Sequence, residues 1–324
     1  MAQDVLVIGE LADGALSSVT GELIGAATRI ADGGKVSVTL LGSAAPGLAG
    51  AAFEAGADRA FVSGDAGYDQ YRSDQWLAAV EAALDQSNPA AVLIAQSTIG
   101  RDLGPRVAFR RNTAAAMDCV LIENVDGGVQ ATRSAYGGNA QATYSFATSP
   151  AVVTVRAKSQ DPIAPRTGAS GETVELAAAG ASRAEIISRE AAVNEGLQIQ
   201  DALIVVSGGR GLGAPEGFEL VEELAAAFGT DKAAVGASRA ACDLGWYPPS
   251  QQVGLTGKVV TPDLYVAVAI SGASQHMAGC SGSKTIVAIN RDAEANIFKA
   301  ARFGIVGDYK AVVPELINAI KALG

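Results

Sequence analysis

The feature that most constrains this chain is a regular alternation of short β-branched runs with longer alanine-rich segments. Over residues 3–112, the apolar positions of the longer segments recur every three or four residues, which is typical of helices that bury one face. The predicted strands are Asp4–Gly9, Lys35–Leu41, Arg59–Val62 and Ala91–Ala95, and the predicted helices are Leu16–Ala31, Ala45–Ala55 and Ser73–Asp85. This alternation predicts a parallel sheet that is covered on both faces.

Residues 117–157 show a different pattern, in which polar and apolar residues alternate with few helix-length segments. The predicted strands here are Cys119–Asn124, Gln130–Ser134, Gln141–Phe146 and Ala151–Arg156, with turns at Gly127-Gly128 and Gly137-Gly138. Alternation of period two between glycine turns is typical of antiparallel strands. We therefore expect a meander of four strands appended to the sheet.

A domain boundary is expected because the chain has 324 residues and single cores stop growing near about 250–300 residues. Residues 158–172 are polar and rich in proline and glycine, a strand is predicted at Thr173–Leu176, and a charged segment covers residues 182–195. We place the boundary between residues 192 and 193. Beyond it we predict strands Leu203–Ser207, Ala233–Val235, Leu264–Ile270, Thr285–Asn290 and Gly304–Val306, and helices Glu216–Phe228, Ser274–Cys280 and Val313–Leu323. Both domains are thus predicted to be doubly wound α/β structures.

The charge and cysteine content exclude several classes of protein. The formal net charge is −10, which disfavours binding to DNA or RNA because phosphate backbones require clustered cations. The apolar run Leu264–Ile270 is far shorter than the roughly 20 residues of a membrane-spanning helix. Cys119, Cys242 and Cys280 are odd in number and widely spaced, so neither a disulfide framework nor a thiolate metal site is predicted. With no signal or transit peptide visible, we expect a reducing cytoplasm.

The chemistry of the chain is expected in four loops that follow predicted strands of the second domain. Ligands of open parallel sheets bind at the carboxyl ends of the strands. The four loops combine glycines with arginines and hydroxyl side chains, which suits a large anionic cofactor better than a bond-breaking site. They are residues 205–214, 235–241, 251–258 and 270–276.

Structural explanations compete with binding at each of these loops. The G-x-G-x-x-A spacing at Gly209, Gly211 and Ala214 also occurs in tight turns, and Ser238 is equally typical of a helix N-cap. His276 is the only histidine, and a lone histidine is more often structural than catalytic. A Walker A spacing and a nucleophile elbow are both absent from the sequence, so hydrolysis is disfavoured.

Six segments of the second domain resemble the alpha subunit of the electron transfer flavoproteins. They are residues 205–211 (VVSGGRG), 235–241 (VGASRAA), 252–258 (QVGLTGK), 264–276 (LYVAVAISGASQH), 283–290 (SKTIVAIN) and 304–308 (GIVGD). The first domain resembles that family more diffusely, chiefly in its α/β pattern and in the segments 136–139 and 152–156.

The resemblance implies two Rossmann-like domains, of which the C-terminal one binds FAD and the N-terminal one contacts a beta subunit in a heterodimer. Arg210 and Arg239 are implied to lie near the flavin ring, with Ser271–His276 around the pyrophosphate and ring edge, and Asn290 and Asp308 on the adenosine side. The cofactor-binding residues implied in this way are Arg210, Ser238, Arg239, Val253, Gly254, Leu255, Thr256, Ser271, Gly272, Ala273, Ser274, Gln275, His276, Asn290, Asp308 and Tyr309. No catalytic or metal-binding residue is implied.

Three residues acquire a specific meaning from the resemblance. In family terms His276 supplies a donor or cation to the flavin N1 and C2 carbonyl, which would favour the negative charge that reduction adds. Leu255 stands where a glutamine is common, so one hydrogen bond near the flavin is expected to be missing. Cys280 stands where methionine is frequent, and a buried small hydrophobe is the simpler interpretation of that thiol.

The family also suggests partners, although alternatives stay open. The flavin would take electrons from dehydrogenases, such as those of fatty acid β-oxidation, and pass them to a quinone oxidoreductase, in a bacterial cytoplasm. In an ordinary carrier the beta subunit would hold AMP, whereas in an electron-bifurcating type it would hold a second FAD. The chain is then an electron-carrier subunit rather than a stand-alone enzyme. The alternative from another class is a nucleotide-binding regulatory module without redox activity.

Overall fold

The computed structural model describes residues 2–136, 140–188 and 197–323, and these divide into two compact units. The N-terminal unit holds residues 2–135 and 141–188, and the C-terminal unit holds residues 136, 140 and 197–323. The expected boundary between residues 192 and 193, and the expected turn at Gly137-Gly138, lie outside the described residues. Both units are α/β structures built on largely parallel sheets, which confirms the predicted fold class.

The N-terminal unit is a nine-stranded sheet with helices packed on it. Its strands are β1 (Val5–Ile8), β2 (Leu11–Ala12), β3 (Ala15–Leu16), β4 (Val36–Leu41), β5 (Arg59–Ser63), β6 (Ala91–Ala95), β7 (Ala115–Val125), β8 (Gly128–Ala135), β9 (Ala140–Ser145), β10 (Ala151–Val155) and β11 (Glu172–Glu175). Its helices are α1 (Ser18–Ala31), α2 (Ala45–Glu54), α3 (Ser73–Ser87) and α4 (Thr98–Arg110). The order in the sheet is β11-β5-β4-β1-β6-β10-β7-β8-β9, and β2 and β3 form a separate hairpin.

The predicted four-stranded meander is wrong in one respect. β7 and β8 form the expected antiparallel pair, and β9 follows at the sheet edge. β10, however, runs parallel to β6 and β7 and lies between them. All five of its residues are buried and four of them are apolar, as expected for a strand covered on both faces.

Two elements of this unit were not predicted. Helix α4 contains Gly100, Gly104 and Pro105, all poor helix formers, so its propensity is weak. Its start is nevertheless fixed, because the Ser97 hydroxyl accepts a hydrogen bond from the Gly100 amide at 3.0 Å. The β2–β3 hairpin has only two residues in each strand, too few to produce a periodic signal.

The C-terminal unit is a six-stranded parallel sheet. Its strands are β12 (Ile204–Gly208), β13 (Ala233–Ser238), β14 (Gln252–Val253), β15 (Leu264–Val268), β16 (Thr285–Asn290) and β17 (Phe303–Val306). Its helices are α5 (Gly217–Phe228), α6 (Arg239–Asp243), α7 (Ser274–Cys280), α8 (Ile297–Ala300) and α9 (Tyr309–Leu323). The order β14-β13-β12-β15-β16-β17 reverses between β12 and β15, so a crevice is expected at the carboxyl ends of these two strands.

Several boundaries in this unit differ from prediction: β13, for example, extends to Ser238 instead of ending at Val235. Two of the differences have local reasons. The strand predicted to reach Ile270 ends at Val268, because Ala269 adopts a left-handed backbone with φ of 56°. Helix α9 begins at Tyr309, four residues before the predicted start at Val313. The Asp308 carboxylate accepts a hydrogen bond from the Lys310 amide at 2.9 Å, which satisfies one donor of the first turn.

The two faces of the C-terminal sheet bury different sets of side chains. Val206, Val266 and Val268 pack on the face covered by α5 and α9. Val205 and Tyr265 point to the opposite face, where α7 contributes Met277 and Cys280. This division follows from the period of two along each strand. It places the fully buried Tyr265 side chain on the same side of the sheet as α7.

All three cysteines are buried and form no disulfide. Burial raises the pKa of the thiols of Cys119 and Cys280 to about 12 and that of Cys242 to about 11. The thiolate fraction at pH 8 should therefore fall by about two to three orders of magnitude relative to a free cysteine.

We expect that none of the three thiols reacts with a disulfide reagent in the native protein and that all three react in denaturant. Fast labelling of the native protein would contradict this expectation.

No helix among the described residues is both long and apolar enough to cross a membrane.

Candidate functional site

A cleft of about 710 Å³ lies at the carboxyl ends of the strands of the C-terminal unit. It lies where the strand order reverses, as the topology requires. The residues around it are Gly209, Arg210, Gly211, Ser238, Arg239, Ala240, Asp243, Gln252, Val253, Gly254, Leu255, Thr256, Ala269, Ile270, Ser271, Ala273, Gln275, His276, Asn290, Arg291, Asp292 and Ala295. Drug-sized ligands occupy pockets of roughly 300–1,000 Å³, so a cofactor of similar or larger size suits this cleft.

The floor of the cleft depends on two glycines after β12. A Cβ at Gly209 would lie 2.3 Å from the Ala269 carbonyl oxygen, and one at Gly211 would lie 2.6 Å from the same oxygen. The Gly209 amide donates to the Val268 carbonyl oxygen at 3.0 Å, which holds the two loops together. Only glycine permits this approach, so the backbone itself lines the cleft here.

Ala269 completes this floor in a conformation that alanine rarely adopts. Its φ of 56° is left-handed, a region that costs a residue with a Cβ roughly 1–2 kcal/mol. The strain is held by the Ala269 amide, which donates to the Ile289 carbonyl oxygen at 2.8 Å. Backbone strain of this kind is concentrated at ligand sites, where the surrounding structure over-determines the chain path.

A second wall is formed by the loop Val253–Thr256, which packs directly on α7. The Leu255 amide donates to the Gln275 carbonyl oxygen at 2.7 Å. Gly254 has a φ of 147°, and a Cβ at Gly279 would lie 2.3 Å from the Gly254 nitrogen. The loop and the helix therefore form one rigid wall, from which the Leu255 side chain is 61% exposed.

The charges around the cleft are mixed, with cations at the strand ends. Arg210 and Arg239 are exposed, and Arg239 Nε lies 3.3 Å from an Asp243 carboxylate oxygen. Arg291 follows β16 and is accompanied by Asp292. Exposed ion pairs contribute little to stability, at most about 1 kcal/mol, so these arginines are free to engage an anionic ligand.

Two hydroxyl groups of the cleft already have protein partners. The Ser238 hydroxyl accepts a hydrogen bond from the Ala241 amide at 3.4 Å and so caps α6. The Thr256 hydroxyl accepts from Gln252 Nε2 at 3.0 Å. Each hydroxyl keeps its own proton available to donate. The N-cap expected as the structural explanation for Ser238 is thus present, and it leaves a donor on the cleft wall.

His276 lies in the cleft wall with its side chain 7% exposed. Its Nε2 is 2.8 Å from the Tyr265 hydroxyl, whereas its Nδ1 is buried and has no hydrogen-bond partner among the described residues. Burial lowers the pKa of His276 to about 4, with the Val253 backbone opposing this shift. The imidazole is therefore neutral at pH 7 and holds one proton that either ring nitrogen can carry.

A smaller cavity of about 280 Å³ adjoins the same loops. It is lined by residues that include Arg210, Asn290, Asp308, and Tyr309 and Lys310 from the start of α9. Asn290 Nδ2 donates to the Ile270 carbonyl oxygen at 2.9 Å, which fixes the amide at the cleft edge. The Tyr309 hydroxyl donates to the Leu212 carbonyl oxygen at 2.9 Å, and this contact closes one side of the smaller cavity.

The structure brings most of the sequence-predicted cofactor residues together. The twelve that line the large cleft are Arg210, Ser238, Arg239, Val253, Gly254, Leu255, Thr256, Ser271, Ala273, Gln275, His276 and Asn290. Asp308 and Tyr309 line the smaller cavity instead. Gly272 and Ser274 line neither: Gly272 is buried against Ile297, and the Ser274 side chain is exposed beside Gln275.

Several residues that line the cleft were not predicted from the sequence, and three of them, Asp243, Arg291 and Asp292, carry charge. Arg291 and Asp292 directly follow β16, so their position at a strand end was a usable signal. Asp243 lies four residues after Arg239, which is the spacing of facing side chains on a helix. Among the described residues, no group of three or more His, Cys, Asp or Glu side chains could hold a metal ion.

Comparison with known proteins identifies the family. A family model described as "Electron transfer flavoprotein domain" matches residues 5–181, and one described as "Electron transfer flavoprotein FAD-binding domain" matches residues 198–281. An electron transfer flavoprotein subunit alpha of Bacillus subtilis is 38% identical over 100% of this chain and 99% of its own length.

Two further relatives are similar over nearly their whole length. An electron transfer flavoprotein subunit alpha of Mycobacterium tuberculosis is 42% identical over 98% of both chains. A protein FixB of Clostridium saccharobutylicum is 39% identical over 98% of this chain and 96% of its own. These matches give no support to a regulatory module without redox activity. The chain belongs to the electron transfer flavoprotein alpha-subunit family.

Proposed function

We propose that the cleft holds FAD and that the chain, paired with a beta subunit, carries electrons from dehydrogenases to a further acceptor. The observation that carries this proposal is the cleft at the strand-order reversal, with glycine backbone as its floor and a buried, unpartnered His276 Nδ1 in its wall. An unpartnered buried polar atom costs about 1–3 kcal/mol, which a ligand atom recovers when it binds.

The residues present fit a flavin dinucleotide. The glycine floor at Gly209 and Gly211 leaves room that a Cβ would fill, as a planar ring or a pyrophosphate requires. Arg210 and Arg239 supply positive potential at the open side. The cleft and the smaller cavity share Arg210 and Asn290, so one extended ligand can reach both.

FAD, when bound, supplies a ring that accepts and releases electrons. Our assignment of the chain's residues follows the family resemblance together with their positions around the cleft. Arg239 and the Thr256 hydroxyl provide positive potential and a donor to the ring, and His276 provides a buried donor. Ser271–Gln275, with Gly272 and Ser274 shaping the turn, enclose the pyrophosphate region, and Asn290, Asp308 and Tyr309 take the adenosine end.

The finer parts of the proposal concern domains and partners. We assign residues 193–324 to FAD binding and residues 1–192 to contact with the beta subunit. The donors are flavin-dependent dehydrogenases, and the acceptor is a quinone oxidoreductase. The beta subunit carries AMP in an ordinary carrier and a second FAD in a bifurcating one.

Flavin content of the heterodimer tests this function. The chain is co-expressed with its beta subunit, and the visible spectrum and the FAD-to-protein ratio are measured. We expect a yellow complex with one FAD per heterodimer, or two if the pair bifurcates electrons. A colourless complex that does not retain added FAD would refute the proposal.

The substitution Arg239→Ala should lower the potential at which bound FAD is reduced. Removal of one cation beside a ring that gains negative charge should disfavour the reduced form by about tenfold, which is about 1.4 kcal/mol. Spectroelectrochemical titration of the heterodimer measures this change. The matched control is Arg302→Ala, since Arg302 lies over the Phe303 ring and not on the cleft. Equal effects of both substitutions would show that net charge alone is responsible.

A further inference from the structure

Tyr265 is a second polar side chain buried beside His276, and it has no role in the proposed FAD site. Tyr265 belongs to β15, is fully buried, and does not line the cleft. Its hydroxyl is 2.8 Å from His276 Nε2, and among the described residues this is the only side-chain hydrogen bond to that ring. Because Tyr265 contacts His276 but does not line the cleft, it can affect a bound ligand only through the histidine.

We propose that Tyr265 is a positioning residue whose hydroxyl donates to His276 Nε2, so that the imidazole proton is kept on Nδ1. This inference rests on the proposed FAD site and deepens it. Because the two groups lie 2.8 Å apart, one of them must donate and the other accept, and that choice decides which ring nitrogen carries the proton.

The neighbours of the phenol favour donation toward the histidine. Burial keeps Tyr265 protonated, since it raises the phenol pKa well above its usual value. The Ser207 hydroxyl on β12 is also buried and forms no hydrogen bond to the described residues, but it acts to lower the pKa of Tyr265, as a donor near the phenolic oxygen does. A Ser207 hydroxyl turned toward the phenolic oxygen would act as a donor, which leaves the phenol proton for His276 Nε2.

The backbone near the imidazole supports the same tautomer. The Val253 backbone opposes the lowering of the His276 pKa, as a carbonyl close to the ring does, yet no hydrogen bond forms to Nδ1 from the described residues, so a proton on Nδ1 stays available to a ligand. Val253 is itself part of the cleft wall. With the proton on Nδ1, the ring presents a neutral donor on this side rather than a lone pair. A donor favours added electron density on a bound ring, whereas a lone pair opposes it.

Histidine NMR tests the tautomer directly, because the chain contains a single histidine. The heterodimer is prepared with ¹⁵N-histidine in this chain and an unlabelled beta subunit, with and without FAD. The protonated and unprotonated ring nitrogens have widely separated ¹⁵N shifts, so the spectrum reports which one carries the proton. We expect a protonated Nδ1 in both samples at pH 7; a protonated Nε2 would overturn the proposal.

The substitution Tyr265→Phe tests the consequence for the cofactor. Without the phenol, His276 is expected to move toward the Nε2–H form, and FAD should be harder to reduce by about tenfold, or about 59 mV for one electron. Tyr247→Phe is the control, since Tyr247 stacks on Phe218 at 4.5 Å and lies away from the cleft. An unchanged tautomer and potential in a folded, FAD-loaded Tyr265→Phe protein would overturn the inference.

The two proposals fail in different ways. If the wild-type heterodimer does not bind FAD, the proposed function fails whatever the histidine spectrum shows. If it binds FAD and Nε2 carries the proton, only the role of Tyr265 fails. Should Tyr265→Phe not fold, the wild-type ¹⁵N spectrum still decides the question.

Discussion

Substitution of Gly279 by alanine is expected to destabilise the C-terminal unit by about 1–3 kcal/mol and to weaken FAD binding by at least about tenfold. The added Cβ would lie 2.3 Å from the Gly254 nitrogen and 2.5 Å from the Gly254 Cα. Both neighbours are backbone atoms, so they cannot rotate away as a flexible side chain can. The loop Val253–Thr256 must move from α7, and the cleft wall moves with it.

The comparison that isolates this effect is Gly50→Ala. Gly50 is also a helical glycine, in α2, but no atom lies within 4 Å of its added Cβ. Alanine there should stabilise the protein by about 0.5–1 kcal/mol through helix propensity. Urea denaturation gives the stability of both variants, and equilibrium dialysis gives the FAD affinity. A Gly279→Ala protein that matches wild type in both would show that α7 and the loop are not rigidly joined.

The sequence predicts strands and helices well where burial on one or both faces imposes a period. β6, α7 and β16 have the bounds expected from their apolar patterns. The position of β10 could not be predicted in this way, because a short apolar run does not reveal which neighbours it pairs with. Placement beside β6 is decided by packing far along the chain, and the continuous burial of β10 is the only local trace of it.

The candidate site was largely predictable because its residues follow strand ends. The glycine loops after β12 and β15 indicated a cleft, and family resemblance supplied roles for side chains such as Arg239 and His276. Two features could not be predicted. Ala269 gives no sign of a left-handed backbone, since alanine usually avoids it. The contact of Tyr265 with His276 depends on how α7 packs on β15, which no spacing of residues encodes.

The burial of His276 should make the free energy of unfolding of the flavin-free protein depend on pH between about pH 4 and 6.5. Its pKa is about 4 in the folded state against about 6.5 when exposed. Between these values the unfolded state binds more protons, so the free energy of unfolding decreases as pH falls. The stabilisation is complete above pH 6.5, and the expected loss is about 2 kcal/mol at pH 5 and about 3 kcal/mol below pH 4.

The groups that flank the imidazole do not titrate in this window. Burial raises the pKa of the Cys280 thiol to about 12 and that of the Tyr265 phenol well above its usual value, so both stay neutral. The buried carboxyls Glu10 and Glu22, whose pKa values are raised by burial, lie in the other unit and act with the opposite sign.

Urea denaturation from pH 7.5 to 4.5 is therefore compared between wild type and His276→Gln, in which both carboxyls remain. The difference between the two proteins should shrink by about 2 kcal/mol as pH falls to 5, because the variant has no imidazole to protonate on unfolding. Parallel pH profiles would mean that the folded protein accommodates a charged His276, which would then act on the flavin as a cation and not as a neutral donor.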